Sequence, residues 1–350
     1  MTMTSQNIVS RPSQADLDAA LLLLNRLGIT PADLLGGSTA RPPAPTFAEY
    51  VPVVAEGVSP ASRRAYGHYW NRIVQVWGDR RIDEPTPSEI KQLGEQLRAK
   101  RIVRANDRGG HNTVENFITA LRCLYNHAVA DRLIRADDNP ARKVDKPRRL
   151  ASLRHAVPDE RLAEINRIVA TTGNDPALDT LLVRLHIETA CRRGGALALR
   201  PIDLDPEQCL IRLREKGDTV RWQPVSPTLM AHLQAHAHER QAPATERLLR
   251  YRDGTPITHR RYDYIWKRVS AHLPWAATQR VSTHWLRHTT LTWVERNFGY
   301  AVARAYAGHT EHDGIGTTAT YVKASLREVA AALAALTGEE HPLCREHDPT

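Results

Sequence analysis

The chain has 350 residues, enough for two domains with cores of their own, since single cores rarely grow past roughly 250 residues. An apolar content of 41%, a charged content of 25% and a mean hydropathy of −0.46 are those of a globular protein, and the lack of a long apolar run excludes a membrane-spanning helix. A net charge of +9 and a pI near 9.6 point to a polyanionic partner, nucleic acid first among them.

The opening stretch "MTMTSQNIVSRPSQ" has no apolar segment and reads as no signal peptide. Residues 14–26 have helical apolar spacing and stop near Gly28; a short second helix is expected at 31–35 behind Pro31. "GGSTARPPAPT" (36–46) is a Gly/Pro linker, so 1–46 forms a helical extension and its tether. From 47 to 140 the pattern is helical throughout. Ser59 before Pro60 starts one helix, whose stripe is Tyr66, Trp70, Ile73, Val74 and Trp77. Thr86-Pro87-Ser88-Glu89 starts another with a capping box. Val114, Phe117, Ile118, Leu121, Leu124, Tyr125 and Ala128 line one face of a third. Residues 141–154 read as a basic interdomain linker carrying Arg142, Lys143 and Lys146, either a solvated charge run or a cationic strap across phosphates.

From 155 to 337 the chain turns α+β. Helices are expected near 158–171 and 175–190, followed by a hairpin of "CLIRLRE" and "TVRWQPV" around "KGD". Helices then dominate, one of them starting at Ser282 and Thr283 and ending at Gly299, and 338–350 reads as a polar tail. The four cysteines (Cys123, Cys191, Cys209, Cys344) form no CxxC pair and suit free thiols in a reducing cytoplasm.

Two chemistries compete near the C-terminus. His309, His312 and Asp313 could ligate a metal, and the tail offers His341, Cys344 and His347, but neither group has the paired spacing of a structural zinc site. No phosphate-cradling glycine loop of the nucleotide-binding kinds occurs. Against a metal stands a phosphate-handling set. His284 and Arg287 lie three apart on one helix, where an arginine fork can grip a phosphate and a histidine can add a third donor. Arg192-Arg193 supplies a second dense arginine site.

In chain order these residues are Arg192, Lys216 at the hairpin tip, His284 and Arg287 in "HWLR", His309 in "AGH", and Tyr321 in "TATYVKA". This order resembles the tyrosine recombinase, or phage-type integrase, family over residues 47 to about 337. The resemblance implies a mainly α N-terminal bundle (core-binding, SAM-like) and an α+β catalytic domain with a small antiparallel sheet, together clamping double-stranded DNA. It implies cleavage and rejoining of strands through a 3′-phosphotyrosine on Tyr321, with Arg192, Lys216, His284, Arg287 and His309 as its catalytic partners. No metal, ATP or other cofactor is implied. The working form would be a tetramer on two DNA sites, in the cytoplasm at the nucleoid, with an accessory DNA-bending protein and a phage or mobile element as its setting. Arg63, Arg64, Asn112 and Thr113 are the expected DNA contacts of the helical domain.

The chain departs from the family twice. Gly195 stands three positions after Arg192, where the family has an acidic residue, and "TEHDGIG" lengthens the gap from His309 to Tyr321. Two rivals follow: a type IB topoisomerase-like relaxing enzyme, and a DNA-binding regulator with a degenerate site. The helix of 325–338, with Leu326, Val329, Ala330 and Leu333 on one face, is expected to dock on a neighbouring subunit, the alternative being its own domain.

Overall fold

A computed structural model describes residues 13–30, 43–101, 109–148, 155–214, 220–308 and 324–345. The chain divides into two units, Met1–Ala151 and Ser152–Thr350. The helix expected at 31–35 lies outside the described residues.

Helix α1 (Gln14–Leu27) is capped by a Ser13–Asp16 box and closed by left-handed Gly28. None of its residues is buried, and Leu17, Leu21, Leu22, Leu23 and Leu27 are exposed. The first unit's core comes from α2 (Phe47–Gly57), α3 (Pro60–Trp77), α4 (Pro87–Ala99) and α5 (His111–Ala130). Their starts are chemically specified. Thr46 and Glu49 cap α2 reciprocally, Ser59 precedes Pro60 at the head of α3, and Thr86 and Glu89 cap α4 around Pro87. All seven residues expected on the apolar face of α5 are buried. Two large aromatics find partners for their polar atoms: Trp70 Nε1 donates to the Ala120 carbonyl at 2.9 Å, and the Tyr125 hydroxyl to the Ile82 carbonyl at 2.8 Å.

The basic stretch read as a linker from 141 starts inside this unit. Pro140–Lys143 is a 3₁₀ turn, Ala141 and Val144 are buried in the helical core, and Arg122 donates to both their carbonyls at 3.1 and 2.8 Å. Alanine and valine among five cations are too few to read as core in sequence.

The second unit contains α6 (Asp159–Thr171), α7 (Pro176–Thr189), the short α8 (Arg193–Ala198), β1 (Leu204–Asp205), β2 (Leu210–Arg214), β3 (Val220–Pro224), α9 (Pro227–Glu239), α10 (His259–His272), α11 (Pro274–Gln279), α12 (Thr283–Ala307) and α13 (Leu326–Thr337). The sheet is antiparallel in the order β1-β2-β3, with Leu213 opposite Arg221 and Arg212 opposite Trp222. The expected architecture is therefore present: a helical unit followed by an α+β unit with a small antiparallel sheet.

One cluster of the second unit packs α6, α7, α10 and the sheet around Ile165, Leu182, Ile211 and Ile265. A second closes Val294, Val302 and Tyr306 of α12 and Val329 and Leu333 of α13 around Ala190. Helix α12 does not end at Gly299. That glycine (φ 83°, ψ 170°) breaks the helix, which resumes until left-handed Gly308. Helix α13 packs on its own unit, against α12 and β3, rather than standing free for a neighbour. Nor is the polar tail wholly solvated: Glu339 pairs with Arg184 at 2.7 Å and accepts from the Thr228 N–H at 3.0 Å. No described helix is long and apolar enough to cross a membrane.

Candidate active site

The site grows from the end of α7. His186 is buried, and one ring nitrogen meets the Tyr262 hydroxyl at 3.0 Å while the other meets the Cys191 carbonyl at 3.1 Å. Ala190 is left-handed (φ 47°), and the Cys191 N–H donates to the Thr189 hydroxyl at 3.2 Å. The turn that delivers Arg192 is thus fixed through its backbone. Arg192 itself is half-buried at the N-cap of α8. Gly195 is buried inside α8, so the acidic side chain expected by resemblance has no counterpart at that place.

Helix α12 laces onto this turn. Thr290 donates to the Ile187 carbonyl at 2.6 Å, and the Tyr306 hydroxyl donates to the Glu188 carbonyl. Burial raises the Tyr306 hydroxyl far above its usual range, so it remains a neutral donor. Arg287 is 5% exposed. Its Nη1 donates to the Ala190 carbonyl and its Nη2 to the Ala307 carbonyl at 2.8 Å. A single guanidinium therefore joins the turn before Arg192 to the end of α12, one residue before Gly308 and two before His309.

His284 is exposed in the first turn of the same helix, while Arg287 one turn on is buried; the i, i+3 spacing gave a shared face but not their unequal depth. Lys216, His309 and Tyr321 lie outside the described residues. The described neighbours nearest to them in the chain are Arg214 and Val220 for the hairpin tip and Gly308 and Ala324 for the C-terminal loop.

A residue that motif reading passed over sits in the same place. Arg221 on β3 reaches the Thr189 carbonyl (3.5 Å) and the Gln223 side chain, and it lies under Gly308. Strand alternation could have found it, since it is a charge in phase with the inward-facing Gln223.

In the first unit, Arg63 and Arg64 are exposed in the first turns of α3, Asn112 is exposed and Thr113 half-buried at the start of α5, and Arg142, Lys143 and Lys146 are exposed beyond the core. Of the metal alternative, His309, His312 and Asp313 lie outside the described residues. His341 is buried and engaged at both nitrogens, one meeting the Cys209 carbonyl and the other the Leu343 N–H, each at 3.2 Å. Among the described residues no group of three or more metal-binding side chains occurs.

Residues 160–327 match the phage integrase family. A tyrosine recombinase XerD from Lacticaseibacillus casei is 24% identical over 237 residues, 65% of this chain and 77% of that protein. A tyrosine recombinase XerC from Chlamydia caviae is 23% identical over 222 residues, 61% and 68% of the two chains. Residues 160–327, most of the second unit, form a tyrosine recombinase domain. Membership of that family places the domain among the DNA strand transferases. Its fold is that of lambda integrase, solved as a tetramer on a Holliday junction (TM-score 0.59, 12% identity, 88% of this chain and 91% of that one). The Tn1549 transposon integrase in complex with transposon right end DNA is similar at TM-score 0.60 and 16% identity, over 84% and 100% of the chains.

Proposed function

We propose that this tyrosine recombinase cuts and rejoins duplex DNA at specific sites through a 3′-phosphotyrosine on Tyr321. The observation that carries the reading is the position of Arg287, whose buried guanidinium meets both the Arg192 turn and the end of α12 that leads to His309. A tyrosine hydroxyl has a pKa near ~10 and is a weak nucleophile at neutral pH. Arg192 and Arg287 beside a phosphodiester favour the phenolate and stabilise the charge that builds on the phosphoryl oxygens. The phenolic oxygen of Tyr321 bonds to phosphorus, the P–O5′ bond breaks, and Lys216 gives a proton to the departing 5′-oxygen. His284 and His309 donate to the same phosphate. A 5′-hydroxyl from another strand reverses the step, so bond energy is conserved and neither metal nor ATP is consumed.

Arg63, Arg64, Asn112, Thr113, Arg142, Lys143 and Lys146 hold the duplex in this reading, supported by the exposure of all five cations. Assembly as a tetramer on two DNA sites is supported by the lambda integrase tetramer bound to a Holliday junction, and work at the cytoplasmic nucleoid follows from chromosomal DNA as the substrate.

The test uses the duplex that the chain retains from a random-sequence pool, synthesised with a nick at each position in turn to trap the covalent step. Wild type should accumulate a denaturation-resistant protein–DNA adduct in EDTA, and Tyr321→Phe should bind equally and form none. A normal adduct with Tyr321→Phe removes the nucleophile assignment, and loss of cleavage in EDTA revives a metal. Failure of the wild type to form any adduct favours the degenerate regulator. Relaxation of supercoiled plasmid without strand exchange favours the topoisomerase-like alternative.

A further inference from the structure

We propose that Arg221 is a positioning residue of this site, setting the Gly308 turn against the Arg192 turn. The inference rests on the strand-transfer reading above and adds to it a residue that touches neither the phosphate nor the nucleophile. Strand β3 alternates: Val220 and Trp222 face outward at 56% and 43% exposure, while Arg221 and Gln223 face inward opposite the buried Leu213 and Ile211. A guanidinium on the buried face of a sheet carries a desolvation cost, so it stays only where fixed acceptors meet it. Here the acceptors are the Thr189 carbonyl, at the end of α7 just before the Ala190–Arg192 turn, and the Gln223 side-chain oxygen.

Gly308 supplies the third contact. It closes α12 in the left-handed conformation (φ 64°), which already favours glycine, and a Cβ there would collide with Nε and Cδ of Arg221. Two guanidiniums therefore bridge the same pair of turns. Arg287 does so from α12 through the Ala190 and Ala307 carbonyls, and Arg221 from the sheet through Thr189 and the face of Gly308. The strand that holds Arg221 is also the second arm of the β2–β3 hairpin, and Lys216 lies in the sequence between the two strands. Arg221 thereby fixes the base of that hairpin to the turn before Arg192 and to the Gly308 turn, after which His309 follows in the chain. An ångström-scale misplacement of such groups costs about a hundredfold in rate.

The experiment measures covalent adduct formation by the full chain on the selected, nicked duplex, at saturating protein, alongside equilibrium binding and thermal unfolding. Arg221→Ala should bind the duplex as wild type does and stay folded, with at most a modest drop in unfolding temperature from the Thr189 carbonyl it leaves, yet form adduct about a hundredfold more slowly. Millimolar guanidinium added in solution should restore part of the rate. Arg221→Lys, which keeps the charge but not the fork, should fall between the two. Adduct formation by Arg221→Ala at close to the wild-type rate overturns the proposal. So does a joint loss of stability, binding and cleavage in both variants without rescue, which marks Arg221 as a packing residue alone. A wild type that forms no adduct overturns the strand-transfer reading itself, and the proposal falls with it.

Discussion

At the scale of single residues, burial separates side chains that the sequence placed together. Arg192 and Arg287 read alike as phosphate-gripping arginines, but Arg287 also serves two buried carbonyls, those of Ala190 and Ala307. Removing it leaves them unsatisfied, at about 1–3 kcal/mol for such a group. Arg287→Ala should therefore lose both cleavage and thermal stability, whereas Arg192→Ala should lose cleavage with little change in unfolding; calorimetry beside the adduct assay distinguishes them. Equal unfolding temperatures would remove Arg287's bracing role. A second prediction concerns acid. His236 is pushed down to about 4 by burial, with repulsion from Arg240 adding to it, and its Nε2 accepts the Arg250 N–H at 3.2 Å. The unfolded imidazole titrates near 6.5, so below that pH the unfolded chain binds the extra proton. Stability is fully present above pH 6.5 and falls as pH drops toward 4, by about 1.4 kcal/mol per pH unit in that window. Burial lowers His341 as well and adds to the slope. Urea midpoints between pH 7 and 5 should fall in the wild type and fall less in His236→Gln, which keeps an acceptor without a titrating ring; identical slopes would sink the assignment.

At the scale of elements, what sequence could show was set by how local the determinants are. The caps of α3 and α4, the apolar face of α5 and both arms of the hairpin are local patterns, and each was legible. Strand β1 has two residues, too few for an alternation, and was missed. Gly299 was read as a helix stop; it does leave the helical region, but burial of Val302, Ala303 and Tyr306 restarts the helix behind it. The tail is polar in composition, and only long-range partners such as Arg184 and the Cys209 carbonyl anchor Glu339 and His341. The candidate site was legible as a list of residues, not as depth or as bracing, because Arg221 and the backbone acceptors of Arg287 belong to no local pattern. Helix α13 makes the consequence testable. Val329 and Leu333 are buried against α12, α13 also packs on β3, and each buried aliphatic of this size contributes about 1.5–3 kcal/mol. Deleting residues 325–350 should therefore destabilise the second unit and lose cleavage, as circular dichroism melts would record. A truncated chain that melts like wild type and still binds a single site would return α13 to a role on a neighbouring subunit.

At the scale of the whole molecule, each hydrophobic cluster among the described residues belongs to one unit: one lies within the first, and two lie within the second. Surface cations of the helical unit can thus be changed without touching the core of the second unit. The net charge of +9 gives duplex binding a salt dependence through counterion release, with a slope of about 0.9 per phosphate contact. Arg63 and Arg64 are exposed on α3, outside its buried stripe of Tyr69, Trp70, Ile73 and Trp77, so their loss removes charge and not core. The Arg63→Ala/Arg64→Ala double variant should bind the selected duplex more weakly at low salt, with a log–log salt slope shallower by about 2 if each arginine neutralises one phosphate. Its rate of adduct formation at saturating protein should match wild type, because contacts that hold the backbone equally before and during reaction act on binding and not on the chemical step. Affinities measured across a salt series decide the matter. An unchanged slope would show that these arginines face solvent and not phosphate, and a slower saturated rate would show that the helical unit takes part in arranging the reacting strand.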